Sequence, residues 1–179
     1  SLFNRLIVRS GMASTLNDLT KNFTIFAVDN VGMRLFATAA SGGAVPPGAP
    51  DAVVSGFIAN SLPAASAAAI VQYNTVGGKI PASAITTGFA NYPLPSQIVL
   101  DATQPFVRMP IFPSKRAVYA YVNNIPLTGV DQVAANGIIH HTFTIVSPLP
   151  ASPLTTLKTL INADANLTYF RAAITRADS

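Results

Sequence analysis

The chain has 179 residues, enough for one domain and an appendage; half of them are hydrophobic and only 10% are charged. That balance excludes an intrinsically disordered chain, and the lack of cysteine excludes disulfides and thiolate chemistry. The net charge of +4 reflects few acids, all of them Asp, and the bases are scattered, with Lys115-Arg116 the only adjacent pair, so no nucleic-acid footprint is visible.

Residues 1–12 place Leu2, Phe3, Leu6 and Ile7 on one helical stripe, with Gly11 as the C-terminal cap. The opening is an amphipathic helix and not a signal peptide, which reads as a mature or trimmed fragment. Residues 15–21 are a polar connection. The β-prone alternation of residues 23–30 predicts a strand, followed by a helical turn capped by Asp29 or Asn30. Residues 38–50, rich in Ala, Gly and Pro, read as a surface loop, either slack or functional. Two helices follow, over residues 51–60 and 62–71, the second opened by Pro63. Tyr73 is expected as a half-buried aromatic whose hydroxyl finds a partner. Phe89 and Tyr92 sit beside Pro93 and Pro95, a knuckle that can grip a sugar ring or a partner chain, or be a loop pinned by its own rings.

Short strands are predicted at residues 97–100, 106–111 and 117–122. In the last, Ala117, Tyr119 and Tyr121 share one face and Val118, Ala120 and Val122 the other. Residues 123–126 form a turn. Between two β-prone runs lies Asn136-Gly137, a strong hairpin signal because both residues tolerate positive φ. Beyond it Ile139, His141, Phe143 and Ile145 are expected on the core face, and His140, Thr142 and Thr144 on the opposite one. The fold class is α+β, with many short strands and a few flanking helices. No apolar run reaches about 18 residues, so no membrane-spanning segment is expected.

The run Asn136-Gly137-Ile138-Ile139-His140, preceded by Val130-Asp131 and followed by Pro148-Leu149-Pro150, resembles the second signature box of fasciclin-like (FAS1) domains. Thr24-Ile25-Phe26-Ala27 resembles the first box, with Val28-Asp29 in place of the usual Pro-Thr and Gly32-Met33 in place of the usual Ala-Phe. Tyr73 matches a family tyrosine, but the histidine that usually follows it is Asn74, so integrin recognition is not carried over. The resemblance implies a FAS1-type β-wedge or sandwich over residues 1–150. It implies structural roles for Thr24, Phe26, Tyr73, Asp131, Asn136, Gly137 and His140. It also implies a non-catalytic adhesion module at the cell surface or outside the cell, with protein or matrix partners and no cofactor.

The Ala-rich, Glu-free and Cys-free chain hints at a bacterial envelope, with a lipid anchor upstream as the accompanying expectation. A second reading is a glycan-binding module that uses Phe89 and Tyr92. A third is a hydrolase that uses His140 or His141. Those two histidines point to opposite faces of one strand, so they cannot share a metal, and no nucleophile elbow, phosphate loop or paired-carboxylate motif appears.

The end of the chain repeats its beginning. Residues 168–176 lie over residues 1–9, pairing Phe170 with Phe3, Ile174 with Ile7 and Arg176 with Arg9, at an offset of 167 residues from Ser1 to Thr168. Residues 151–179 are therefore read as a linker and the first helices of a following repeat, with a helix at 154–162 opened by Ser152-Pro153. The family domain usually starts one helix earlier than Ser1. The tail can fill the groove this leaves, in its own chain or in a neighbour, as a tandem-repeat contact or a domain swap.

Overall fold

The computed structural model describes residues 1–86, 93–147 and 157–177, and the chain divides into two units, Ser1–Ser147 and Pro148–Ser179. In the first unit the strands are β1 (Phe23–Val28), β2 (Thr75–Gly77), β3 (Leu94–Val99), β4 (Arg108–Ile111), β5 (Pro113–Arg116), β6 (Tyr119–Val122), β7 (Ile125–Ala134) and β8 (Gly137–Thr142). They form one sheet of order β4-β3-β2-β1-β8-β7-β6-β5. β1 and β8 run parallel, with Thr24 beside Ile138 and Phe26 beside His140, and the other pairings are antiparallel. The outermost strands, β4 and β5, are separated in sequence by Phe112 alone, so the sheet curls until its two ends come together at that residue. The expected α+β class of short strands with flanking helices holds.

β5 was not expected. Pro113 and Lys115-Arg116 read against a strand, yet the end of a sheet tolerates both, because a proline there costs no essential ladder bond. Ala117 and Val118, expected at the head of a strand, form instead the turn of the β5–β6 hairpin, with Ala117 at φ 51°. Asn123 and Asn124 turn β6 into β7 with φ of 47° and 64°, a conformation that Asn tolerates better than other residues with a side chain.

The helices α1 (Leu2–Arg9), α2 (Ala13–Leu16), α3 (Asn30–Ala40), α4 (Asp51–Asn60) and α5 (Ala64–Tyr73) share a core in which Leu6, Met33, Val54, Ile58 and Val71 are fully buried. Each such side chain contributes about 1.5–3 kcal/mol by leaving water. The Asp29 carboxylate caps α3 by accepting from the Gly32 amide at 2.7 Å. Gly11, at φ 73°, ends α1 in the left-handed conformation. α2 runs into the start of the polar connection expected at residues 15–21 and is too short to announce itself by periodicity. The Gly-rich segment after α3 is not slack, because Val45 and Ala49 are buried in the helical core. A second core fills the curl of the sheet, around Phe26, Tyr73, Val76, Ile111, Val122 and Val146. No single helix among the described residues is long and apolar enough to cross a membrane.

The second unit contains α6 (Leu157–Ala163), a 3-10 turn at Ala165–Leu167 and α7 (Thr168–Ala177). The start of the helix expected at residues 154–162 lies outside the described residues. Asp164 caps the turn, and Arg171 donates to the Asn162 carbonyl at 2.7 Å.

Candidate functional site

The expected inner and outer faces of β8 are exchanged. His140 and Thr142 are fully buried, with Ile138 on their side, whereas Ile139 and His141 are half-buried and Phe143 is 45% exposed. The parallel pairing with β1 places His140 next to Phe26 inside the curl, where the two rings stack with centroids 5.7 Å apart. Imidazole and hydroxyl groups can occupy this face because backbone groups there take up their polar atoms.

The Thr142 hydroxyl donates to the Thr144 carbonyl at 2.9 Å, and most of the other backbone groups belong to the segment after β2. Thr24 Oγ1 donates to the Gly78 carbonyl at 2.8 Å and accepts from the Ile80 amide at 2.9 Å. His140 Nε2 lies 2.9 Å from the Ile80 carbonyl, and Nδ1 accepts from the Asp131 amide at 3.3 Å, so the ring carries its proton on Nε2. The Asp131 carboxylate accepts from the Ala82 amide at 2.7 Å. Three side chains thus fasten four backbone groups of residues 78–82. This strap continues through the 3-10 turn Ala82–Ala84 to the buried Ile85. Phe89 and Tyr92, further along, lie outside the described residues.

Asp131 reaches this position through a bulge. The register of β7 against β8 slips between Gly129 and Gln132, and Asp131 adopts φ 60°. The bulge aims its amide at His140 and its carboxylate at the strap. The ring of His141 leaves on the other face, over Gly129, with Nε2 2.8 Å from Gln132 Oε1.

Asn136 and Gly137 work differently from the turn chemistry expected of them, for neither adopts a positive φ. A Cβ on Gly137 would stand 2.5 Å from the Phe23 carbonyl oxygen, so glycine is needed for the close approach of β8 to β1. The Asn136 amide donates to the Leu16 and Asp18 carbonyls at 2.8 and 3.2 Å, tying the hairpin to the end of α2.

Tyr73 and the asparagines near it hold the far side. The Tyr73 hydroxyl donates to the Pro110 carbonyl and accepts from the Asn123 amide, both at 2.9 Å. Asn123 also accepts from the Phe112 amide at 2.8 Å, which fixes the link where the sheet closes. Asn74 is fully buried and embraces Val146, donating to its carbonyl at 2.9 Å and accepting from its amide at 3.3 Å. Its role could not be foreseen from the sequence, where it stood only as a departure from a family pattern.

Burial pushes the Tyr73 phenol above its ordinary value near 10.0, and the hydrogen bond from Asn123 opposes this. A raised acid favours its protonated form in the fold, so the contribution is complete below pH ~10 and is lost as pH rises through the raised value. Tyr73→Phe should lose about 1 kcal/mol at neutral pH, when the Pro110 carbonyl loses its donor. It should also show a shallower fall in urea midpoint between pH 8 and pH 11 than the parent chain; equal slopes would refute this.

An open groove lies on the outer face of β1 and β8 beside α1, with a cavity of about 470 Å³. Ile7, Ile25, Ala27 and Ile139 line it, with Gln132 and His141 among its polar groups. Among the described residues no three His or Asp side chains come close enough to hold a metal ion.

The chain matches no family model, and no curated protein matches it. In structure it is similar to a FAS1 domain pair from the insect cell adhesion molecule fasciclin I, with a TM-score of 0.50 at 13% sequence identity. The likeness covers 94% of this chain and 50% of that one, so the chain spans about half the length of the solved chain it matches. At this identity the likeness is one of fold, and the fold is FAS1-like.

Proposed function

We propose that the chain is a non-catalytic adhesion module, displayed at the cell surface or outside the cell and binding protein or polysaccharide partners. The observation that carries this reading is the commitment of the signature's polar atoms. Both nitrogens of His140 and the Thr24 hydroxyl are hydrogen-bonded to backbone inside the unit, as is one oxygen of the Asp131 carboxylate, so the buried imidazole and hydroxyl are not aimed at a substrate. The fold's likeness to an adhesion molecule supports the same reading. The seven signature residues act in it as struts: Thr24, Phe26, Asp131 and His140 for the strap, Asn136 and Gly137 for the parallel pair, and Tyr73 for the closure of the sheet.

Residues 151–179 are, in this reading, the linker and first helices of a following repeat. α7 repeats the sequence pattern of α1 but leaves Tyr169 91% and Phe170 53% exposed, where Leu2 and Phe3 are each 3% exposed. The structural match, at 94% of the chain, extends past Ser147. The tail is proposed to pair with a neighbouring repeat or copy. A concentration-dependent dimer in sedimentation, abolished by truncation after Ser147, is the expected result, and a monomer at all concentrations would count against it.

The adhesion reading is tested by coating beads with the chain. Aggregation of the beads, or their capture by cells, is expected, together with no turnover on a panel of esters and glycosides. Turnover that disappears on His141→Ala, with the fold intact, would replace adhesion by the hydrolase reading.

A further inference from the structure

The β5–β6 hairpin carries charges and rings that the fold leaves unused. The register sets Arg116 opposite Tyr119, Ser114 opposite Tyr121, and Tyr121 opposite Pro126 of β7. Directly paired residues share a face, so these five side chains lie together, with Ala120 and Val122 buried on the other side. Tyr119 is 66% exposed. Among the described residues, neither Arg116 nor the two tyrosine hydroxyls have a hydrogen-bond or ion-pair partner. Between Asp101 and Asp131 the chain has three cations, Arg108, Lys115 and Arg116, and no acid; of these Arg116 lies on the tyrosine face, whereas Lys115 pairs with the buried Ala120 and Arg108 belongs to β4. The side-chain partner of Arg108 is neutral, the Gln97 amide oxygen at 3.2 Å, so its charge is not cancelled either.

We propose that this face binds an acidic polysaccharide, a polymer of carboxylate-bearing sugars. The two tyrosines stand about 7 Å apart along the strand and offer ring faces to the C–H faces of sugar rings, with the hydroxyls of Ser114 and both tyrosines for the sugar hydroxyls. Arg116 provides the planar fork that holds a carboxylate in two hydrogen bonds. An exposed strand face that carries hydroxyls and one guanidinium without an acidic partner suits an extended polyanion. An anionic membrane is the competing anionic target, but the apex offers it one strongly exposed aliphatic side chain, Val118. Burial of that one side chain is too little for stable anchoring. The inference deepens the adhesion reading, on which it rests, by naming a partner and the surface that meets it.

The test is binding of the full chain to polygalacturonate, with neutral dextran and anionic lipid vesicles in parallel, at low and high salt. Polygalacturonate alone should bind, and more weakly at high salt. Arg116→Ala and Tyr119→Ala, both at exposed positions, should each weaken binding by about tenfold, the effect of one lost charge-assisted or stacking contact, with an unchanged urea midpoint. No binding to the polymer, binding that neither variant weakens, or capture by the vesicles instead would overturn the proposal. Beads that aggregate while polygalacturonate fails to bind would overturn this surface and leave the adhesion reading standing. Beads that neither aggregate nor adhere to cells would remove the adhesion reading itself.

Discussion

Replacing His140 by alanine should lower the stability of the first unit by about 3 kcal/mol or more, a large share of what a domain of this size possesses. The side chain is fully buried, stacks on Phe26, and serves the Ile80 carbonyl and the Asp131 amide. Alanine removes the ring volume and leaves a buried void. It also strips two backbone groups of their partners, and unsatisfied groups cost about 1–3 kcal/mol each where water cannot replace the bond. His140→Phe separates the two effects. It restores the volume and the stacking but neither hydrogen bond, so it should recover only part of the loss in urea midpoint. A His140→Phe variant as stable as the parent chain would show that the imidazole nitrogens hold nothing.

Gly32→Ala should be at least as damaging, at about 3 kcal/mol or more, even though alanine is the residue the family pattern favours there. A Cβ at Gly32 would lie 2.1 Å from the Phe143 carbonyl oxygen and 2.7 Å from Val28 Cγ1. The first neighbour is backbone and cannot step aside by changing rotamer. The new methyl would have to push α3 away from the strand end, and overpacking of this kind costs about 1–3 kcal/mol even where side chains can yield. Thermal unfolding of the variant measures the effect. A melting temperature within a few degrees of the parent's would contradict the close approach of α3 and Phe143.

Much of the fold was legible because local signals agreed with tertiary needs. The stripe of α1, the Asp29 cap of α3, the Pro63 opening of α5 and the Asn123-Asn124 turn were each readable from a few adjacent residues. What escaped depended on distant partners. The faces of β8 were misassigned because alternation shows which residues share a side, not which side is sealed. Burial of His140 and Thr142 was decided by β1 and by residues 78–82, far off in sequence. Gly137 was singled out for the wrong reason: a turn was expected to need its φ, whereas the nearby Phe23 carbonyl forbids a side chain. The bulge at Asp131, the strand at Pro113–Arg116 and the embrace of Val146 by Asn74 left no periodic trace.

The central claim is that the most chemistry-like residues of this chain are struts, and that its work is done on its surface. Amide hydrogen exchange of the strap, in the parent chain and in His140→Ala, tests it most directly. If His140 holds the strap, the Ile80 and Ala82 amides should exchange slowly in the parent chain and much faster in the variant, in step with the fall in urea midpoint. Unchanged protection of the strap in a variant of undiminished stability, together with loss of bead aggregation, would make His140 a residue that meets a partner and would contradict the claim.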